Sequence, residues 1–323
     1  ENFKSLTEKR SGIGKVSLLE TSLSNYPVGE IKADSETLAK MGGIELSTID
    51  SRTFLIGLIA AKEAVQMSGC EEYLSSMGLV GSNTVGGMDL NDRYYRELIS
   101  GNGTNKDKVI SFDCADAGER IANHLGITHN ITTISTACSS SANTIMNGTR
   151  MIKNGIADRM LVGGMDALSR FSINGFNSLE ILSQTGCKPF DKNRDGITAG
   201  EGAAFLVLEA EDVVGSRKIY GEVSGYANRN EAFHATASSP DGEGAVQTME
   251  KALASSHLQP SDIDYINAHG TGTLVNDISE GRALDKVFGE NVPLFSSTKG
   301  YTGHTFAAAG AIEAVFSLLA INR

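Results

Sequence analysis

The stretch TTISTACSSS (132–141) decides how the rest of the chain is read. Its β-branched residues favour an extended backbone, and TTISTA (132–137) is predicted as a buried strand. Beyond it, Ala142, Ile145, Met146, Ile152 and Ile156 recur close to the 3.6-residue helical period. The chain therefore passes from strand to helix at Cys138, among the small residues Ala137 and Ser139–Ser141. A helix N-terminus presents unpaired N–H groups and the positive end of a dipole. Both are expected to lower the thiol's pKa and favour the nucleophilic thiolate. A tight strand-to-helix turn also exposes the sulfur, as a nucleophile elbow does. Taken alone, Cys138 reads equally well as a buried structural cysteine.

Working outward, strand and helix patterns alternate, which predicts an α/β protein. A buried helix is expected between Arg52 and Ser68, then a short strand MGLVGSN (77–83) ending in the loop Thr84–Gly87. RMLVGG (159–164) and GAAFLVLE (202–209) read as strands. A second half repeats the plan: helix 245–256, a turn at Pro260–Asp262, strands 263–268 and 294–299, and an apolar helix 307–321. The strand–loop–helix units around Cys138 and His304 occupy equivalent places, which suggests a duplication with its seam near Glu211–Arg217. The division is thus residues 1–212, carrying the nucleophile, and 213–323.

The 323 residues suffice for two such units and a sizeable core. A net charge of −11 argues against a nucleic-acid binder. The four cysteines, Cys70, Cys114, Cys138 and Cys187, contain no CxxC pair, so neither a disulfide framework nor a zinc knuckle is expected. No apolar run reaches the roughly 18 residues that span a membrane. The start, ENFKSLTEKR, is not a secretion signal. Sequons at Asn102, Asn130 and Asn147 carry little weight without one. These features together predict a cytoplasmic enzyme with reduced thiols.

Two further segments bear chemistry. NAHGTGT (267–273) places His269 at a strand end beside Thr271 and Thr273, and STKGYTGHTFAAAG (297–310) places Lys299 and His304 on a loop entering a helix. Strand-end loops of this kind hold active sites in α/β folds. TACSSS, KPFDKNRDG (188–196), GEGAAFLVLE (200–209), DIDYINAHGTGT and TKGYTGHTFAAAG together resemble the β-ketoacyl-acyl-carrier-protein synthases of the thiolase superfamily, in the elongating class. The resemblance runs through almost the entire chain. It implies a duplicated, layered α-β-α-β-α sandwich, a homodimer joined along the strands beside the nucleophile, and an acyl-carrier-protein partner. It implies no organic cofactor and no metal.

By the same resemblance, Cys138 would carry the acyl chain as a thioester. His269 and His304 would hold the malonyl thioester carbonyl and stabilise its enolate. Lys299 would be a structural cation paired with Glu280, Asp277 would order the following loop, and Thr271 and Thr273 would contact pantetheine. Lys188, Lys192 and Arg194 are candidates for carrier docking, with Arg52 near a weakly basic helix. The segment Gly101–Cys114 would lie near the acyl pocket and the dimer interface. Specialised polyketide or aryl-polyene ketosynthases share this core, and a non-catalytic chain-length subunit or a cleaving thiolase are further readings.

Some features depart from the family pattern. Leu274 stands where the family usually has proline, which predicts a differently seated loop, and Ile197–Ala199 replaces a Phe-containing stretch. The family's first strand and its Gly-Phe-Gly gating loop are not found, so the sequence is expected to be a fragment of a longer protein, cut at both ends. Asp191-x-Asn193-x-Asp195-Gly196 resembles a calcium-loop opening, but its twelfth position is Gly202 instead of glutamate, so no metal is assigned.

Overall fold

The structure, a computed structural model, describes residues 2–101, 106–234 and 236–322. The sequon at Asn102 and part of the Gly101–Cys114 segment lie outside the described residues. In chain order the first half contains α1 (Asn2–Thr7), β1 (Gly14–Lys15), β2 (Pro27–Val28), α2 (Ser35–Gly42), α3 (Arg52–Ser68), β3 (Gly78–Ser82), α4 (Met88–Ile99), α5 (Cys114–Leu125), β4 (His129–Ile134), α6 (Ser140–Lys153), β5 (Arg159–Asp166), α7 (Arg170–Ser178) and β6 (Gly202–Glu209). The second contains α8 (Glu243–Ser256), β7 (Tyr265–Asn267), α9 (Leu274–Phe288), β8 (Leu294–Ser296), α10 (Lys299–Thr302) and α11 (Ala309–Ile321).

The main sheet has the order β4-β3-β5-β6. β3 runs parallel to β4 and β5, and β6 returns antiparallel to β5. β5 is buried along its whole length, because helices cover both of its faces. That is why RMLVGG shows no polar alternation. The helix α3 starts where Ser51 accepts the Phe54 N–H and stops at Gly69, whose φ of +67° favours glycine. Phe54, Leu55, Leu58, Ala61 and Val65 bury it against the sheet, beside α5.

The opposite face of the sheet takes α6 and α11, which also pack on each other. A side chain at Gly164 of β5 would stand 2.5 Å from Ser82 Oγ and 2.9 Å from the Ala307 carbonyl oxygen. Only glycine lets the turn before α11 sit this close to the strand. Beyond α11 lies the parallel pair β7–β8, with Asn267 Nδ2 donating to the Glu313 carbonyl at 3.4 Å. α8 and α9 pack on one another in the same half. Helix and sheet layers thus alternate, with α6 and α11 back to back at the centre.

One expectation needs correction. TTISTA is not a buried strand: the strand spans His129–Ile134, lies at the sheet edge, and is exposed or half-buried throughout. β-branched composition marks a strand but does not say whether a neighbour covers its outer edge.

Candidate active site

Cys138 sits between the end of β4 and the start of α6. The turn is tight: Ala137 has φ +53°, the Thr136 N–H donates to Ser140 Oγ at 2.8 Å, and the Ser140 N–H donates back to the Ala137 carbonyl at 3.1 Å. A non-glycine residue in the left-handed region costs about 1–3 kcal/mol and persists where the surroundings fix it. The small residues around Cys138 are what let the chain turn here. The thiol does not behave as the helix terminus alone suggested. Burial pushes its pKa up; the Lys299 charge pulls it down, and the Asp166 carboxylate adds a smaller upward push. Desolvation of the thiolate is the largest of these influences.

His269 follows β7, and its loop is pinned by a carboxylate from α9. Glu280 accepts the N–H groups of His269 (2.6 Å) and Gly270 (2.8 Å). The sequence assigned Glu280 as the partner of Lys299, but the structure pairs Lys299 with Glu313 of α11. Glu280 is occupied by backbone amides, whereas Glu313 reaches the ammonium from the central helix. Lys299 Nζ also donates to the His269 carbonyl at 2.7 Å and to His269 Nδ1 at 3.4 Å.

His304 is fixed by backbone on both sides: its N–H donates to Thr198 O at 2.7 Å, and its carbonyl accepts from Gly200 at 2.9 Å. The Phe306 N–H donates to His304 Nδ1 at 3.2 Å. His304 Nε2 lies 3.0 Å from Cys138 Sγ. The two imidazoles meet edge to face, with centroids 5.2 Å apart, and Sγ and the two ring nitrogens lie within 4.8 Å of one another.

The hydrogen bonds fix the tautomers. An ammonium and a backbone amide can only donate, so Nδ1 of each histidine accepts, and in the neutral ring Nε2 carries the proton. Both rings are neutral: burial and the Lys299 charge push His269 down to about 3 and His304 well below its usual value. The site therefore presents two N–H donors beside a sulfur. The Cys–His–His spacing would admit a metal ion, but ligation through Nε2 would move each proton to Nδ1, against a donor already there. This donor set fits an oxyanion better than a cation.

The neutral state of His269 has a measurable consequence. From about pH 6.5 downward the unfolded chain protonates this ring, while the folded ring stays neutral until about pH 3. The folded state then binds fewer protons, so stability is lost as pH falls through 6.5. His269→Asn removes this contribution. Denaturant unfolding at pH 5.5 and 7 is expected to show a smaller acid loss in the variant, by about 1 kcal/mol over that interval.

Lys299 is buried, and Glu313 nearly so. Lys299→Met leaves the Glu313 carboxylate without its cation, and breaking a buried pair this way costs about 3–5 kcal/mol. A lower urea midpoint with unchanged slope is expected. A variant as stable as the parent would mean that this pair contributes little to the fold.

The remaining predicted residues divide between loop and surface. Thr271 and Thr273 share a hydroxyl–hydroxyl bond of 3.0 Å, and Thr273 also caps α9 by accepting the Asn276 N–H at 3.3 Å. Asp277 is buried and accepts from Phe190 N (2.7 Å) and Gly272 N (3.1 Å), joining the KPFD segment to the histidine loop. Leu274 takes the first position of α9, where proline is also favoured, so the helix starts normally. Arg194 donates to the carbonyls of Asp191, Thr273 and Leu274 and is largely covered, whereas Lys188 is half-buried and Lys192 exposed. Arg52 is engaged by the buried Glu201 and is no docking cation. Asp191 accepts from Asn193 N and Asp195 from Ser183 Oγ, so each carboxylate serves its own turn. Cys187 is buried, with its thiol pushed up to about 12 by desolvation.

Two site residues escaped the sequence reading. Glu313 is the one charged residue in α11, AGAIEAVFSLLAI, and Asp166 ends the apolar strand RMLVGGMD. A lone acid in an apolar segment is rarely buried without a partner, and that was the available signal.

Residues 1–213 match the profile described as "Beta-ketoacyl synthase, N-terminal domain", and residues 220–323 that of "Beta-ketoacyl synthase, C-terminal domain". The chain belongs to the beta-ketoacyl synthase family. Within that family it is 40% identical over 197 residues to 3-oxoacyl-[acyl-carrier-protein] synthase 2 of Staphylococcus aureus, covering 58% of this chain and 49% of that protein. It is 44% identical over 201 residues to the mitochondrial 3-oxoacyl-[acyl-carrier-protein] synthase of Arabidopsis thaliana, covering 58% of this chain and 44% of that one. The chain thus matches about half the length of these curated relatives. Among solved structures, the ishigamide ketosynthase/chain length factor superposes with a TM-score of 0.90 at 28% identity, over 98% of this chain and 80% of that one. A ketosynthase in complex with its chain length factor from Xenorhabdus doucetiae gives 0.81 at 33% identity, over 95% and 76%. The thiolase-like fold therefore holds across nearly the whole chain.

Proposed function

We propose that the chain carries out decarboxylative Claisen condensation, joining an acyl group held on Cys138 to a malonyl unit delivered on an acyl carrier protein. The observation that carries this reading is the convergence of two neutral imidazole N–H donors on the space beside one thiol. In the first step Cys138 sulfur attacks the acyl thioester carbonyl and the carrier thiol leaves. In the second, malonyl thioester binds with its carbonyl oxygen between the two Nε2–H groups. The bond to its carboxylate breaks, carbon dioxide departs, and the electron pair becomes an enolate whose negative oxygen the two donors stabilise. The enolate carbon then attacks the acyl carbonyl on Cys138, and the thiolate leaves as β-ketoacyl-carrier is released. The backbone N–H of Cys138 is proposed as a donor to that second oxyanion.

The names of the curated relatives support fatty-acid-type elongation. A specialised polyketide-type role is the second reading, favoured by the likeness to ketosynthases solved with chain length factors. The paired thiol and histidines speak for a catalytic subunit over a non-catalytic one. We further propose a homodimer joined along the open edge of β4, whose unpaired N–H and C=O groups adjoin the Cys138 turn, and a cytoplasmic setting. The four thiols are unpaired, and among the described residues no helix is long and apolar enough to cross a membrane.

The test is to incubate the protein with acyl-carrier and malonyl-carrier and follow it by mass spectrometry. β-Ketoacyl product with an acyl adduct on the Cys138 peptide is expected. Folded protein giving neither signal with a competent carrier would overturn the catalytic reading, and product formed only after adding a second subunit would favour the heterodimeric one.

A further inference from the structure

The Asp166 carboxylate ends β5 with no exposure to solvent. It accepts the Thr84 N–H at 3.0 and 3.1 Å, the Thr84 hydroxyl at 2.7 Å and the Ala307 N–H at 2.8 Å. These donors come from two separate loops. Thr84 opens the loop whose Gly86 carbonyl accepts from Thr53 and whose Gly87 N–H donates to Ser111. Ala307 follows Phe306, whose own N–H holds His304 Nδ1. Thr305 (φ −89°, ψ 27°) turns the Phe306 amide back toward the ring, and Phe306 itself has φ +50°, a left-handed conformation that sets the course of the chain into Ala307. Two neighbouring amides are therefore committed in sequence, Phe306 to the imidazole and Ala307 to the carboxylate.

Something must hold a bulky residue in that strained conformation. On the side-chain side, Phe306 stacks on Phe176 at 5.5 Å with the rings 6° from parallel. On the backbone side, Asp166 is the anchor, and the Gly164 contact with the Ala307 carbonyl closes the turn from above. We infer that Asp166 is a positioning residue: by clamping the Ala307 amide it keeps the 305–308 turn in the conformation that points the Phe306 N–H at His304 Nδ1, and so keeps the proton of His304 on Nε2, facing Cys138. Asp166 touches no reacting atom. It acts through the turn, and its tie to Thr84 fixes that turn to the loop packed on Ser111.

The inference rests on the proposed use of His304 as an enolate donor, but its tautomer arm stands apart from activity. The wild-type protein, uniformly labelled with 15N-histidine, is expected to show His304 as the Nε2–H tautomer by long-range proton–nitrogen correlation; an Nδ1–H tautomer there overturns the inference without any variant. Asp166→Asn keeps the shape but sets an amide N–H against the Thr84 donors. It is expected to mix the His304 tautomers and to lower kcat for malonyl-carrier decarboxylation by about 10- to 100-fold, while KM and the rate of Cys138 acylation stay within about twofold. Asp166→Ser, which leaves room for a bridging water, is expected to recover part of the lost rate. A pure Nε2–H tautomer in a folded Asp166→Asn protein, or equal losses in decarboxylation and acylation, rejects the positioning role. Wild-type protein that does not decarboxylate malonyl-carrier at all would instead reject the proposed function and leave the tautomer result to decide on Asp166.

Discussion

Cys138→Ala is expected to remove acyl transfer and to lower condensation by at least about 10⁴-fold, while malonyl-carrier still loses carbon dioxide. The two half-reactions use different atoms. Acylation needs the sulfur, and among the described cysteines Cys138 is the one grouped with His269 and His304: Cys70 and Cys187 are buried, and Cys114 Sγ faces the Thr84 carbonyl at 3.8 Å. Decarboxylation needs the two Nε2–H donors, which Lys299 and the Phe306 amide hold without help from Sγ. Alanine suits a turn whose neighbours are Ala137 and Ser139, so the fold is expected to stand. Released carbon dioxide, acyl adduct and β-ketoacyl product should be measured on one preparation. Condensation at the parent rate would remove Cys138 from its role. Loss of carbon dioxide release along with acylation would mean that the sulfur helps to hold the malonyl unit.

What was legible in the sequence was periodic or chemically conspicuous. The span of α3 could be read from its apolar run and its bounding Ser51 and Gly69, and β6 from GAAFLVLE. Cys138, His269, His304 and Lys299 stood out because uncommon residues fell on strand-end loops among small neighbours. Other features depend on what the rest of the chain places nearby. The thiol's raised pKa follows from its burial, which the sequence around the turn does not reveal. The exchange of Glu280 for Glu313 as partner of Lys299 follows from which helix lies over the ammonium. The helices α4 and α5 are mostly polar but carry an apolar stripe that was there to be read, Ala117, Ile121 and Ala122 in α5, whereas α9 has only a weak one. They are held by caps and tertiary contacts such as the Thr273 and Asp277 hydrogen bonds.

His304→Ala is the substitution expected to separate donor function from nucleophile function most clearly. The enolate oxygen would lose one of two N–H donors in a water-poor site, and removing one such donor costs about 100- to 1,000-fold in rate. Acylation of Cys138 is expected to fall far less, because the thiolate also feels the Lys299 charge and the α6 terminus. His304 contributes to both steps through one proton: in the resting structure its Nε2–H faces Sγ at 3.0 Å, and once the sulfur is acylated the same proton is free for the malonyl oxygen. A His269→Ala, His304→Ala double variant should therefore lose less than the product of the two single losses, since donors that act as a unit are not additive. Single-turnover carbon dioxide release, compared with acyl-adduct formation under the same conditions, gives the two losses separately. Normal carbon dioxide release from His304→Ala would leave His269 as the donor that matters and make His304 a partner of the sulfur alone.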